Sequence, residues 1–190
     1  MWKGIVGRSF DPMGFDTYVK GLKFGLWRPQ FVVLHNTSVP SLAQRPDGFT
    51  KQHIKNLEGY YRDEMKWSSG PNLFVDDHQI WVLSPLTAPG THSPSWNAVS
   101  WGVEMLGEYE SEPFNSGRGL HVQYYTVAAL ATLHAAAGLD SHSLRFHKED
   151  PKTTHKECPG RNVYKPDLIG KVHSMIVSRH EGEHKPGGAL

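Results

Sequence analysis

Two rhythms of apolar and polar residues run along the 190-residue chain, and the change from one to the other marks its elements. Gln30-Phe31-Val32-Val33-Leu34-His35-Asn36 is a short β-branched and aromatic run that ends in polar residues. It predicts a buried central strand with His35 at its carboxyl end. Leu73-Phe74-Val75 and Ile80-Trp81-Val82-Leu83 flank Asp76-Asp77-His78-Gln79, the pattern of a hairpin. Val99 to Gly107 reads as another strand. Within it Glu104 is a carboxylate among apolar neighbours, a costly place for an unpaired charge. Helical spacing takes over from Gly48 to Met65, through Phe49, His53, Ile54, Leu57, Tyr60 and Tyr61, and Ser68-Ser69-Gly70-Pro71 closes that stretch. Val122, Tyr125, Ala129, Leu133 and Ala136 predict a helix from His121 to Ala137, stopped by Gly138. Leu168, Ile169, Val172, Met175 and Ile176 predict a last one from about Asp167 to Arg179, with Asp167 where the helix dipole favours it.

Strands interleaved with helices predict an α/β fold, a single compact domain with a central mixed β-sheet flanked by α-helices. Residues 1–29 mix aromatics with Gly and Pro and are expected to form an irregular arm packed on the domain, with one helical turn around Phe15 to Phe24. Residues 30–180 form the domain itself. The polar, Gly-rich residues 181–190 are expected to be a flexible tail. Pro85 to Trp96, rich in Pro, Ser, Thr and Gly, reads as a surface loop, and loops carry function more often than cores do.

Composition narrows the possible partners. A net charge of +1 provides no long-range field that would call for nucleic acid or an anionic membrane, and no apolar run is long enough to cross a bilayer. The single cysteine excludes an internal disulfide framework. Met1 to Phe15 contains no run resembling a signal peptide, so synthesis in the cytoplasm is expected, with access to an external substrate only after release. Twelve histidines raise the expectation of a metal or proton-transfer site.

Three features place ionisable or metal-competent groups where packing alone would not: His35, Glu104 and the segment from Phe146 to Gly160. Catalytic zinc takes three protein ligands and leaves a fourth position open. His35, His147 and Cys158 can supply such a set, with His155, three residues before Cys158, competing for the second imidazole. A lone cysteine is usually a small buried hydrophobe. Cys158-Pro159-Gly160, however, closes a polar loop with no helix or strand pattern of its own, and a metal would hold such a loop.

Further marks are Val33-Leu34-His35-Asn36-Thr37, Gly70-Pro71-Asn72-Leu73-Phe74-Val75, Gly90-Thr91-His92, Asn97 through Gly107, and His147 with Lys156-Glu157-Cys158-Pro159-Gly160. In this order and spacing, over roughly residues 30–165, the chain resembles the zinc-dependent N-acetylmuramoyl-L-alanine amidases of the type-2 amidase and peptidoglycan-recognition superfamily, phage endolysins included. The resemblance implies a Zn2+ site at the carboxyl ends of the strands, with His35, His147 and Cys158 as metal ligands. Many relatives have Asp at the third. It further implies Glu104 and Lys156 as catalytic residues and His92 and Asn97 as substrate contacts. The activity implied is hydrolysis of the amide between the lactyl group of N-acetylmuramic acid and L-alanine, as a cell-wall-lysing endolysin acting on peptidoglycan or muropeptides. Two alternatives are a cytosolic enzyme that recycles muropeptides and a peptidoglycan-binding module without turnover. A monomer is expected. One departure stands out: where many phage members carry a tyrosine after the hairpin glycine, this chain has Pro71 and then Asn72.

Overall fold

The two longest apolar runs become β2 (Phe31–Asn36) and β5 (Ser100–Met105), which lie side by side and parallel with His35 opposite Glu104. A computed structural model describes residues 1–183, and among these the sheet has six strands. β1 (Arg8–Phe10), β3 (Leu73–Val75), β4 (Ile80–Val82) and β6 (Arg145–Phe146) complete it in the order β1-β4-β3-β5-β2-β6. β3, β5, β2 and β6 run parallel, whereas the β3–β4 hairpin and the β1–β4 pair are antiparallel. The sheet is therefore mixed, with the functional strand β2 near its centre.

α3 (Gly117–Ala137) is the central helix and packs against β2, β3 and β4 on one side and against α1 (Pro12–Lys20) and α4 (Lys165–Glu183) on the other. Its middle, residues 126–134, is buried on every side, with Ala128, Ala129, Leu130, Ala131 and Leu133 among them, as a helix covered on both sides requires. Gly138 ends it at φ +64° in the left-handed conformation, which glycine adopts without a Cβ penalty. α2 (Lys51–Gly59) starts on a capping box in which Thr50 and His53 satisfy each other's backbone groups.

The hairpin turn is a structural anchor. The buried Asp76 carboxylate accepts the N–H groups of Phe49, His78 and Gln79. Asp77 binds the Arg118 guanidinium through two hydrogen bonds of 2.6 and 2.8 Å, and Arg118 also donates to the Leu42 and Arg45 carbonyls. The loop after β2, the hairpin and the start of α3 are thereby locked together.

Several elements differ from the sequence expectation. The amino-terminal arm is irregular only in part: residues 1–7 and 21–29 lack helix and strand, but β1 extends the sheet by pairing with β4, and α1, longer than one turn, buries Phe15 and Val19. Three residues are too few for strand periodicity to show, and α1 is started by the Asp11 cap and Pro12 rather than by a long apolar stripe. Phe24 and Trp27 pack on Trp101, which leaves them in the domain. α2 ends at Gly59, and the chain continues as one turn of π-helix from Tyr60 to Glu64. α3 begins four residues before His121. α4 begins two residues ahead of Asp167 and extends into the first three residues of the expected tail; residues 184–190 lie outside the described residues. No helix among the described residues is long and apolar enough to cross a membrane.

Candidate metal centre

Strand pairing alone brings two imidazoles together. Leu34 of β2 lies opposite Phe146 of β6, so the residues that follow, His35 in β2 and His147 just past the end of β6, emerge at the same carboxyl edge, with ring centroids 4.3 Å apart. Cys158 returns to this edge through the loop that follows His147. Its carbonyl accepts the Lys148 N–H at 3.0 Å, and the Asn36 backbone N–H donates to its sulfur. The ligand atoms of His35, His147 and Cys158 all lie within 4.8 Å of one another. Gly160, at φ +107°, comes so close to the Tyr109 backbone that any side chain would collide with it, which explains a glycine two residues after the cysteine.

The loop that carries His147 and Cys158 is held by its own hydrogen bonds as well. Thr153 Oγ1 lies 2.8 Å from His147 Nε2 and accepts the His155 N–H at 3.1 Å. Asp150 is fully buried and accepts Ser93 Oγ at 2.5 Å, the Ser95 N–H at 2.9 Å and the Lys152 N–H at 2.8 Å. These contacts join the ligand loop to the loop of His92. His155 stacks on His147 with centroids 5.3 Å apart but is exposed and stands outside the three-residue cluster.

Glu104 projects beside the cluster, with Oε1 3.7 Å from His35 Nδ1 and 14% of its side chain exposed. Burial pushes its carboxyl up to about 8. Tyr61, from the π-helical turn, faces the same region: burial and then the Glu104 charge raise its phenol well above the ordinary value. Its ring stacks on Trp67 and presses on Gly70.

His92 is buried, with Nδ1 3.1 Å from His35 Nε2. Asn97 spends its Oδ1 on the N–H groups of His92 and Ser93, both at 2.7 Å. Lys156 is exposed on the turn before Cys158. Asn72, which follows the departure at Pro71, is buried and bonds the Gly102 N–H and the Pro85 carbonyl, so it braces the hairpin against β5.

The electrostatics suit a divalent cation. Burial, then the neighbouring imidazoles, lowers His35 well below the usual histidine value. Burial likewise takes His92 down to about 3 and, joined by the His155 charge, His147 down to about 4. Metals bind neutral imidazole, so these rings are already in the ligating state. Burial and then the Glu104 charge push the Cys158 thiol well up, a direction that a bound cation reverses. Two neutral imidazoles and a thiol make a donor set that fits zinc with a fourth position left open, and the Glu104 carboxyl lies beside it.

Thr153, Asp150, Ser93, Ser100 and Tyr61 carry no local signal in the sequence that marks them as parts of the site. Asp150-Pro151 and Thr153 lie in the polar loop already singled out, but their partners are long-range; Ser93 and Asp150 are 57 residues apart.

The sequence profile of a family described as N-acetylmuramoyl-L-alanine amidase matches residues 26–161. Peptidoglycan-recognition protein SC2 of Drosophila simulans is 24% identical over 136 residues, 70% of either chain. Among solved structures, the endolysin N-acetylmuramoyl-L-alanine amidase LysCS of Clostridium intestinale superposes with a TM-score of 0.60 at 23% identity, covering 77% of this chain and 85% of that one. Drosophila PGRP-LB gives 0.59 at 17% identity, covering 82% and 85%. These likenesses agree with the mixed sheet and helices described above.

Proposed function

Given that the chain belongs to the N-acetylmuramoyl-L-alanine amidase family, within the type-2 amidase and peptidoglycan-recognition superfamily, we propose that it hydrolyses the amide between the lactyl group of N-acetylmuramic acid and L-alanine in peptidoglycan. The observation that carries this reading is the convergence of His35, His147 and Cys158 with Glu104 at their side. The two histidines and the cysteine would hold Zn2+. A zinc ion held there supplies Lewis acidity for the scissile carbonyl and activation of the attacking water.

Glu104 takes the proton released by the attacking water and returns it to the nitrogen of L-alanine as the C–N bond breaks. A largely buried carboxyl raised by its surroundings is suited to both halves of that transfer. Lys156, exposed on the turn two residues before Cys158, would stabilise the developing oxyanion, a role typically worth about 3 kcal/mol of barrier. Tyr61, near enough for the Glu104 charge to raise its phenol and packed against Gly70, lies on the side where Pro71 replaces the tyrosine of many phage members. His92 acts through the loop it belongs to, since both its ring nitrogens are engaged with protein, and Asn97 holds that loop through its Oδ1. The biological role that fits these parts is cell-wall lysis.

Digestion of purified sacculi and of a defined muropeptide, with products identified by mass spectrometry, tests the reading. The expected products are an intact glycan and a peptide with a free L-alanine amino terminus. Faster turnover of the soluble fragment than of the polymer would instead favour recycling, and binding to sacculi without new amino termini would remove the activity.

A further inference from the structure

The imidazole of His92 lies between its own loop and β5, in a space that exists because residue 102 is glycine. A Cβ on Gly102 would collide with the ring. Both ring nitrogens have partners: Nδ1 lies 3.1 Å from His35 Nε2, and Nε2 lies 3.3 Å from Ser100 Oγ.

Proton accounting gives these contacts a direction. The Ser100 hydroxyl donates its single proton to the Trp96 carbonyl at 2.7 Å. Toward His92 it therefore offers a lone pair, and His92 Nε2 carries the hydrogen. Both rings are buried beside other imidazoles, which disfavours a charge on either. A neutral imidazole has one N–H and one bare nitrogen, so His92 Nδ1 is the acceptor and His35 Nε2 the donor. The single proton of His35 is thus held on Nε2. Its Nδ1, on the Glu104 side, is left with a free lone pair.

We infer that His92 is a positioning residue: the chain from the Trp96 carbonyl through Ser100 and His92 fixes His35 in the tautomer and orientation that present Nδ1 to the metal. The inference rests on the metal reading proposed above. It differs from the substrate contact that the family resemblance implies for His92, because both ring nitrogens are committed within the protein. Asn97 extends the device by holding the His92 and Ser93 backbone N–H groups, which sets the height of the ring over Gly102. Groups of this kind, bonded to the nitrogen opposite the ligating one, typically change metal affinity 10- to 100-fold.

Two substitutions separate positioning from packing. His92→Phe keeps a ring over Gly102 and lacks the acceptor. His92→Asn places Oδ1 on Cγ, where Nδ1 stood, and lacks the bulk. Zinc affinity is measured by competition with a chromophoric chelator, stability by thermal unfolding of the zinc-loaded protein, and kcat and KM on a soluble muropeptide. The expected result is opposite orderings. His92→Phe retains the greater stability but binds zinc about 10- to 100-fold more weakly than wild type, whereas His92→Asn is less stable yet binds zinc more tightly than His92→Phe. Equal zinc affinity in wild type and both variants, with a raised KM, would overturn the inference in favour of a substrate contact. Zinc affinity that simply follows stability would reduce His92 to a packing role. Wild-type protein that binds no zinc would remove the metal reading itself, a result distinct from either.

Discussion

Replacing Asp150 by Ala tests whether the ligand loop is held by the protein itself. The carboxylate is fully buried and accepts three donors, from Ser93, Ser95 and Lys152, at 2.5–2.9 Å. Hydrogen bonds to a charged group contribute about 1.5–3 kcal/mol each, but they share one acceptor and are not additive. Two of the donors are backbone N–H groups near the surface, where water can partly replace the lost oxygen. The Ser93 hydroxyl is buried and has no such substitute nearby. A net loss of about 3 kcal/mol follows, the lower end for breaking a buried charge network. For a domain of this size the unfolding entropy is about 0.4 kcal/mol per kelvin, so Tm should fall by about 7–8 °C.

The pH dependence of that loss has a definite sign. Burial alone would raise the Asp150 carboxyl, but the hydrogen bonds from Ser93, Ser95 and Lys152 outweigh it and hold the group at about 2. The value in the unfolded chain is about 3.9. A depressed carboxylate stabilises the fold above its unfolded pKa, and that stability is lost as pH falls through the folded one. Thermal unfolding of wild type and Asp150→Ala from pH 7 to pH 2.5 should show a constant gap down to about pH 5 that narrows below pH 4. A gap under 2 °C at pH 7, or one that does not narrow in acid, would refute the reasoning.

Glu104→Gln should lower turnover by about 10²–10⁴-fold while zinc content stays unchanged, as read by product formation and metal analysis on the same sample; near-normal turnover would take the carboxylate out of the mechanism. Thr153→Val keeps the shape of the side chain but removes the oxygen 2.8 Å from His147 Nε2, so zinc affinity should fall about 10- to 100-fold with the fold intact by circular dichroism. Asp77→Asn breaks the paired hydrogen bonds to Arg118 at a carboxylate only 4% exposed, and urea denaturation should register a loss of about 3 kcal/mol. A loss below 1 kcal/mol would mean that Arg118 is held by the Leu42 and Arg45 carbonyls alone.

The readable parts of the chain are those where local pattern and local cost agree. His35 and Glu104 stood out because each ends or interrupts an apolar run, and the fold places them opposite each other on paired parallel strands. Cys158-Pro159-Gly160 stood out as a turn, and the glycine there meets a close approach to Tyr109. β1 and β6 were not legible, because two or three residues carry no periodicity and owe their extended form to the strands beside them. The supports of the site were hidden for a related reason. Asp150, Thr153 and Ser100 are ordinary polar residues in loops or at a strand end until distant partners give them a purpose. A metal would not be the sole hold on the polar loop, since Asp150 and Thr153 supply part of it. Tyr61 read as one apolar position of a helix. The passage from α2 into a π-helical turn brings it to face Glu104.

The central claim is that His35, His147 and Cys158 together bind one catalytic zinc. Metal analysis of purified wild type, Cys158→Ala and His147→Ala, each assayed for cleavage of a defined muropeptide before and after exhaustive chelation and zinc return, tests it most directly. The account predicts one zinc per wild-type chain, activity lost on chelation and restored by zinc, and loss of both metal and activity in each variant. Undiminished cleavage by metal-free wild type, or a full complement of zinc in both variants, would contradict it.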